Sequence, residues 1–364
     1  MLYRNLFKPV LFRMDPEKAH HLVIGGLGTG VRIPGTLSAM QSMYGIDSTP
    51  DMTTELFGIT FPGPVGLAAG LDKNAQAVMG LSSAGFGFME VGTVTPKPQP
   101  GNEQPRLFRL PSDRALINRM GFNNDGAEVM AGRLKRLPSH PIPIAVNIGK
   151  NKVTPNEQAA SDYKACIRTL YPYADFFVVN ISSPNTPDLR NLQHGNELKE
   201  LLAEVMEEMS DQQRKHGSFK SVLVKIAPDV SDSELEYMVE TITQSGAAGL
   251  IATNTTLSRD GLTHSSAGET GGLSGRPLTE RSTDIISRVY RQTEGKLPII
   301  GCGGIFSAQD AYDKIKAGSS LVEIYTSFIY EGPQVTRRLH NGIRELMKQD
   351  GFAHISEAVG VAHR

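Results

Sequence analysis

The chain has 364 residues, 39% hydrophobic and 21% charged, with 37 glycines; this ordinary globular composition excludes disorder and fibrous repeats and leaves room for one β/α barrel of roughly 250 residues plus an appendage. A net charge of −1 offers no electrostatic footprint for nucleic acid, which needs a strongly basic face. The two cysteines, Cys166 and Cys302, lie far apart without CxxC or Cys/His spacing, so no disulfide framework, zinc site or iron–sulfur cluster is expected, and a reducing compartment fits best.

Residues 1–45 read as an N-terminal extension. Arg4, Lys8, Arg13 and Lys18 interrupt any signal-peptide core, and no run approaches the roughly 18 apolar residues of a spanning helix. Leu2, Leu6 and Val10 share a helical face beside Tyr3, Phe7 and Leu11, with Pro9 limiting that first helix. Asp15-Pro16-Glu17 supplies an N-cap, an N1 proline and an acidic first turn for a second helix through Leu22, Val23, Ile24 and Leu27. The pair predicts a helical hairpin. Residues 1–35 carry five basic and two acidic residues, net +3. Two readings fit equally: docking on an anionic lipid surface, or a terminal hairpin packed on its own barrel.

Residues 46–364 change rhythm. Eight short apolar runs alternate with helix-length segments: VGLAA (65–69), FMEVGTV (88–94), PIAVNIG (143–149), DFFVVNI (175–181), VLVKIA (222–227), GLIATN (249–254), PIIGCGG (298–304) and LVEIYTS (321–327). Eight such repeats, apolar on both faces, specify a closed (β/α)8 TIM barrel in the α/β class. Two insertions interrupt it. Residues 96–122 predict a small antiparallel β insert, PRLFRL against RALIN, turning at Pro111-Ser112-Asp113. Residues 254–278, rich in Gly, Ser and Thr, read as a mobile loop over the barrel mouth.

Barrel active sites lie at the carboxyl ends of the strands, and here those ends are polar: Asp72-Lys73-Asn74, Thr93 and Thr95, Asn147, Asn180 with Ser182-Ser183, Lys225, Thr253-Asn254-Thr255, Gly303-Gly304 and Tyr325-Thr326. One such residue alone is more readily a cap. So many amides and two lysines at one rim would be costly unless they served a polar ligand. The Gly303-Gly304 turn, entering a helix after the seventh run, supplies N–H groups where barrels hold a phosphate. GGLGTG (25–30) misses the dinucleotide spacing, and no HExxH or Ser-His-Asp pattern is evident, so no metal is expected.

Several motifs together resemble the dihydroorotate dehydrogenases: GLAAGLDKN (66–74), GNEQPRLFRL (101–110), INRMGFNN (117–124), NISSPNTPDLR (180–190), KIAPD (225–229), TNTT (253–256), GGLSGRPL (271–278) and GCGGI (301–305). The likeness runs over about residues 3–340. A serine at Ser183, where soluble class 1 enzymes place cysteine, and the N-terminal hairpin make it similar to the class 2, quinone-reducing branch in its bacterial form.

The resemblance implies oxidation of (S)-dihydroorotate to orotate in de novo pyrimidine biosynthesis. It implies one FMN per chain, ubiquinone or menaquinone as acceptor, and a monomer peripheral to the cytoplasmic face of a bacterial membrane. FMN is implied at Ala69, Gly70, Lys73, Thr93, Asn147, Asn180, Lys225 and Thr253, with its phosphate at Gly275, Gly304, Tyr325 and Thr326; a Lys225 cation near N1/O2 stabilises anionic reduced flavin. Substrate is implied at Lys73, Asn118, Asn147, Asn180, Asn185, Asn254 and Thr255, closed by Arg119, Met120, Gly121 and Phe122. Ser183 is the implied base at C5 as hydride leaves C6, with Lys73 supplying part of the field; its segment, SSPNTPDLRNLQHG, would act as a lid. His20, Arg109 and Tyr325 are the implied quinone site, although Arg109 also reads as a cross-strand partner within the insert. Three rivals remain at this stage: a Schiff-base lyase using Lys225, a soluble flavin dehydrogenase with another acceptor, and a non-catalytic membrane-docked barrel.

Overall fold

The computed structural model describes residues 3–364, so Leu2, placed above on the first helical face, lies outside the described residues. The extension begins with a π-helical turn at Tyr3–Phe7, followed by α1 (Lys8–Arg13), α2 (Pro16–Gly30) and a third, unexpected helix, α3 (Thr36–Tyr44). Asp15 caps α2 as its sequence demands, accepting from the N–H groups of Glu17 and Lys18 at 3.0 and 2.9 Å.

A hairpin follows, β1 (Thr54–Leu56) and β2 (Ile59–Phe61). The remaining strands are β3 (Val65–Leu67), β4 (Phe88–Val94), β5 (Leu107–Leu110), β6 (Ala115–Asn118), β7 (Ile144–Ile148), β8 (Phe176–Asn180), β9 (Ser221–Ile226), β10 (Gly249–Ala252), β11 (Gly272–Gly275), β12 (Ile299–Cys302) and β13 (Leu321–Ile324). Eight of them close a parallel barrel in the order β3-β4-β7-β8-β9-β10-β12-β13, and each falls within one of the eight predicted runs except β9, which begins one residue earlier, at Ser221. Helices cover the outside, so outward residues such as Phe177, Val179 and Val224 are as buried as inward ones.

The inward positions decide where function sits. At the amino ends, Phe88, Ala145, Phe176, Val178, Leu223, Ile251, Ile300 and Leu321 form an apolar floor. The β1–β2 hairpin packs on this floor: Phe61 lies 5.4 Å from the Phe88 ring and Phe57 6.0 Å from Phe176. Because side chains alternate along a strand, the next inward residue of seven strands lies two positions on: Glu90, Asn147, Asn180, Lys225, Thr253, Cys302 and Glu323. Every one of the seven is inward and polar or ionisable, so the barrel is dry below and chemically loaded above.

The insert differs from its prediction. It is three-stranded, in the order β11-β6-β5, and β11 comes from the segment read as a mobile loop. Gly272 pairs with Asn118 and Gly275 with Ala115. The strand was masked by its glycines, which close approach requires: a Cβ on Gly272 would lie 2.0 Å from Thr255 Oγ1. The rest of 254–278 is also tied down. Arg259 donates to the carbonyls of Glu269 (2.9 Å) and Gly271 (2.6 Å), and Asp113 accepts from the N–H groups of Thr263 and His264, both at 3.0 Å.

The extension packs against this insert. Glu17 of α2 is buried and paired with Arg106 at 2.6 Å, while Arg109 of β5 donates to the carbonyls of Leu11 and Met14 at 3.1 and 3.0 Å and lies over the Phe12 ring. Arg109 therefore acts across elements, fixing the turn between α1 and α2. Ala19 and Ile24 face inward, yet Leu6, Val10, Leu22 and Ile33 remain 58–64% exposed. One face is packed on the insert, and the other is apolar and open. No helix among the described residues is long and apolar enough to cross a membrane.

Candidate active site

At the base of the mouth, Lys225 Nζ lies 2.6 Å from Glu90 and 3.4 Å from Glu323, all three side chains buried. Burial alone would lower the Lys225 pKa, but the two carboxylates outweigh it and push the value up. Burial, with Glu90 beside it, raises the Glu323 carboxyl well above the carboxylate range. The lysine is held charged, which removes support for the Schiff-base rival, whose nucleophile must be a neutral amine. The two glutamates were missed in the sequence, although each falls on the inward parity of its strand.

Asn147 sits in the same layer. Its amide donates to Glu90 at 2.5 Å, and its oxygen accepts from Thr93 Oγ1 at 2.5 Å and Asn180 at 3.2 Å. It does not reach the cavity surface but orients Thr93 and Asn180, which do. Asp72 and Thr95 of the polar rim are also structural: Asp72 accepts from the N–H groups of Gln76 (2.8 Å) and Ala77 (2.7 Å), and Thr95 is hydrogen-bonded to Asn124.

Above this layer opens a cavity with about 1240 Å3 of empty space, its open mouth included. Of the twenty-three site residues that the family resemblance implies, twenty line it: Ala69, Gly70, Lys73 and Thr93; Asn118, Met120, Gly121 and Phe122; Asn180, Ser183, Asn185 and Lys225; Thr253, Asn254, Thr255 and Gly275; and Gly304, Tyr325, Thr326 and His20. Three do not. Asn147 lies beneath, Arg109 lies one layer out, and the Arg119 guanidinium turns away to Glu269 at 2.7 Å, over the Phe108 ring.

The cavity has three sectors. In the first, Asn185 donates to Asn118 at 3.1 Å, Lys73 Nζ to Asn123 at 2.6 Å, and Asn254 to Ser182 Oγ at 3.0 Å; buried Ser183 stands among them, its Oγ accepting from the Asn185 N–H at 3.3 Å. Burial, reinforced by Arg106 and opposed by Glu17, holds Lys73 down to about 7. The Ser183 segment is clamped by Arg190, which donates to the carbonyls of Ser182 (3.0 Å) and Thr255 (2.9 Å) and pairs with Asp229 at 2.9 Å.

The second sector is a cradle of Gly275, Gly303, Gly304 and Thr326. Gly304 has φ +72°, and a Cβ there would meet the Thr279 backbone at 2.4 Å, so only glycine lets this turn pack so closely on the start of the neighbouring helix. The third is apolar, lined by Leu107, Leu116, Ile305, Phe306 and Ile324 together with His20 of α2 and Tyr325. Burial, then Lys73 and His21, depress His20 to about 3, leaving a neutral imidazole, and burial pushes the Tyr325 hydroxyl up to about 12.

Comparison with known proteins fits this architecture. The family model described as dihydroorotate dehydrogenase matches residues 51–347. Proteins named dihydroorotate dehydrogenase (quinone) are 54% identical in Deinococcus deserti, over 99% of both chains, and 50% identical in Deinococcus radiodurans, over 97% of this chain and 98% of that one. Among solved structures, the ligand-free enzyme of Eimeria tenella superposes with a TM-score of 0.87 at 41% identity, covering 96% of this chain and 100% of that one. Its complex with ferulenol gives 0.86 at the same identity, over 96% of both. The chain belongs to the dihydroorotate dehydrogenase family.

Proposed function

We propose that this protein oxidises dihydroorotate to orotate for pyrimidine biosynthesis, with one FMN per chain and a membrane quinone as final acceptor. The observation that carries the reading is one cavity holding a buried serine among asparagines, a glycine cradle and an apolar wall, in a chain of this family. The residues present fit FMN. The cradle takes a phosphate through backbone amides, and Glu323 Oε1 is buried in the cavity wall without a hydrogen-bond partner, ready for a polar ligand atom. When bound, FMN accepts a hydride and passes its electrons on.

The chain's own groups do the rest. Lys73, Asn118, Asn180, Asn185, Asn254 and Thr255 hold the carboxylate and ring amides of the substrate, because asparagine both donates and accepts. Ser183 Oγ takes the C5 proton, and the Arg190 clamp on the Ser182 and Thr255 carbonyls keeps Ser183 in place. Lys225, held charged by Glu90 and Glu323, faces the cofactor with a fixed positive charge. The apolar sector admits a quinone head group past neutral His20 and Tyr325, and Arg109 acts by fixing the helix turn at its outer end. The open face of α1 and α2 docks the protein on the cytoplasmic face of a bacterial membrane as a peripheral monomer, delivering ubiquinone or menaquinone to that passage.

An anaerobic visible spectrum tests the whole sequence: dihydroorotate should bleach a flavin band and quinone should restore it. A colourless protein, or a band indifferent to dihydroorotate, would overturn the reading.

A further inference from the structure

Beneath the glycine cradle lies a group that the proposed reaction does not use. Lys314, on the helix Ala308–Lys316, is fully buried, 0% exposed. Its ammonium donates to Thr283 Oγ1 at 2.7 Å, to Ser282 Oγ at 2.5 Å and to the Thr279 carbonyl at 3.0 Å, all within the first five residues of the helix Thr279–Gln292. No ion pair among the described residues includes it, so three neutral oxygens replace its water and no carboxylate touches it. Burying an ammonium this way is costly unless a negative charge stands nearby.

The partners of Lys314 lead to the cradle. Ser282 Oγ donates to the Gly303 carbonyl at 3.2 Å, and Thr279 Oγ1 donates to the Gly304 carbonyl at 2.8 Å. The same residues that solvate the ammonium therefore fix the two carbonyls of the glycine turn, so its amides point to the cavity. We propose that Lys314 is a positioning residue for a phosphate monoester: it locks the Gly303-Gly304 turn through Ser282 and Thr279 and supplies, from beneath, the positive charge that a dianionic phosphate requires. This rests on the FMN reading and extends it to a residue that does not touch the cavity.

The titratable groups facing Lys314 are Cys302 at the end of β12 and, on its own helix, Asp310 and Asp313; the helix Thr279–Gln292 presents hydroxyls and a carbonyl. Asp310 is already engaged by the N–H groups of Phe306 and Ser307 and by Arg276. Burial outweighs these neighbours and holds Lys314 down to about 7. A bound phosphate would restore its proton.

The test compares flavin released on dilution of protein loaded with FMN or with riboflavin, which lacks the phosphate, read by flavin fluorescence. Lys314→Met should lower the FMN-to-riboflavin affinity ratio on the order of 10- to 50-fold, as expected for one charge at intermediate distance in a partly polar interior; Lys314→Arg should recover part of it. Flavin reduction by dihydroorotate in the FMN-saturated variant should stay within about two-fold of the parent. In the unmodified protein the same ratio should fall from pH 6.5 to 8.5, although the phosphate is already mostly dianionic above about pH 6; because Lys73 affects both flavins alike, the ratio isolates the phosphate end. Equal loss of both flavins in Lys314→Met would make Lys314 purely structural, and an unchanged ratio would overturn the assignment. If Lys314→Met does not fold, a pH-independent ratio in the parent overturns it just as well. A parent protein that binds no flavin sinks the FMN reading, and this assignment with it.

Discussion

The barrel mouth and the N-terminal extension use charge and apolar surface in opposite ways. In the mouth, Glu90, Lys225 and Glu323 are fully enclosed and each polar atom is placed against another or against the cavity. In the extension, Glu17 and Arg106 form the buried tie, while Leu6, Val10, Leu22 and Ile33 stand in solvent. A monomeric surface rarely leaves such a face unless something apolar covers it. The difference separates two kinds of surface: the mouth holds its ionisable groups in an enclosed, preorganised setting, whereas the extension packs one face on the insert, where His20 reaches the cavity, and leaves an apolar face open.

The comparison breaks most sharply at the mouth. Ser183→Ala should slow flavin reduction by dihydroorotate about 10²- to 10⁴-fold, the range expected on removing a positioned base, while the FMN spectrum persists; rapid-reaction absorbance under anaerobic conditions measures both. Loss of flavin instead would make Ser183 a structural residue. Next comes Lys225→Met, which strands the Glu90 carboxylate in the barrel without its counter-charge. Breaking one partner of a buried pair costs roughly 3–5 kcal/mol, so the denaturation midpoint should drop strongly in urea titrations. A midpoint within experimental error of the parent would show that the cluster is hydrated and the mouth not dry.

The contrast also explains what could be read from sequence. The barrel was legible because every strand is apolar on both faces, and α2 because Asp15-Pro16-Glu17 is a complete start signal. The polar rim named twelve of the cavity residues, since strand ends are where barrels keep them, and the family resemblance added others such as Asn118 and Gly121. Glu90 and Glu323 were hidden inside strands whose neighbours are apolar; the parity of Phe88 and Leu321 would have exposed them. β11 was hidden by its glycines, β1 and β2 by their brevity, and α3 by a segment without a start signal, its N-cap position being Gly35. Arg119 and Asn147 carried the right motif, but their side chains answer to Glu269 and Glu90, contacts made across elements that no local pattern encodes.

Two smaller effects sharpen the comparison. Lys73 is held down to about 7 by burial, so its charge is present below that pH and lost above it. An anionic ligand restores the proton, and the dissociation constant of orotate should therefore be flat below pH 7 and rise by up to about tenfold per unit above it, as fluorescence titration of the holoenzyme would record. Constancy to pH 8.5 would take Lys73 out of the carboxylate site.

At the extension, Phe7→Ser with Val10→Ser replaces side chains that are 51% and 60% exposed and pack little against the fold. Each forfeits on the order of 1 kcal/mol of apolar transfer, a fraction of the roughly 1.5–3 kcal/mol for full burial. Partition onto anionic vesicles should fall about tenfold or more for the pair, with reoxidation by long-chain quinones falling alongside. Flavin reduction by dihydroorotate should not change, because it occurs in the other region. A pair of serines that slowed both half-reactions equally would mean that α1 supports the mouth rather than the membrane, and that the exposed row is incidental to the enzyme's electron exit.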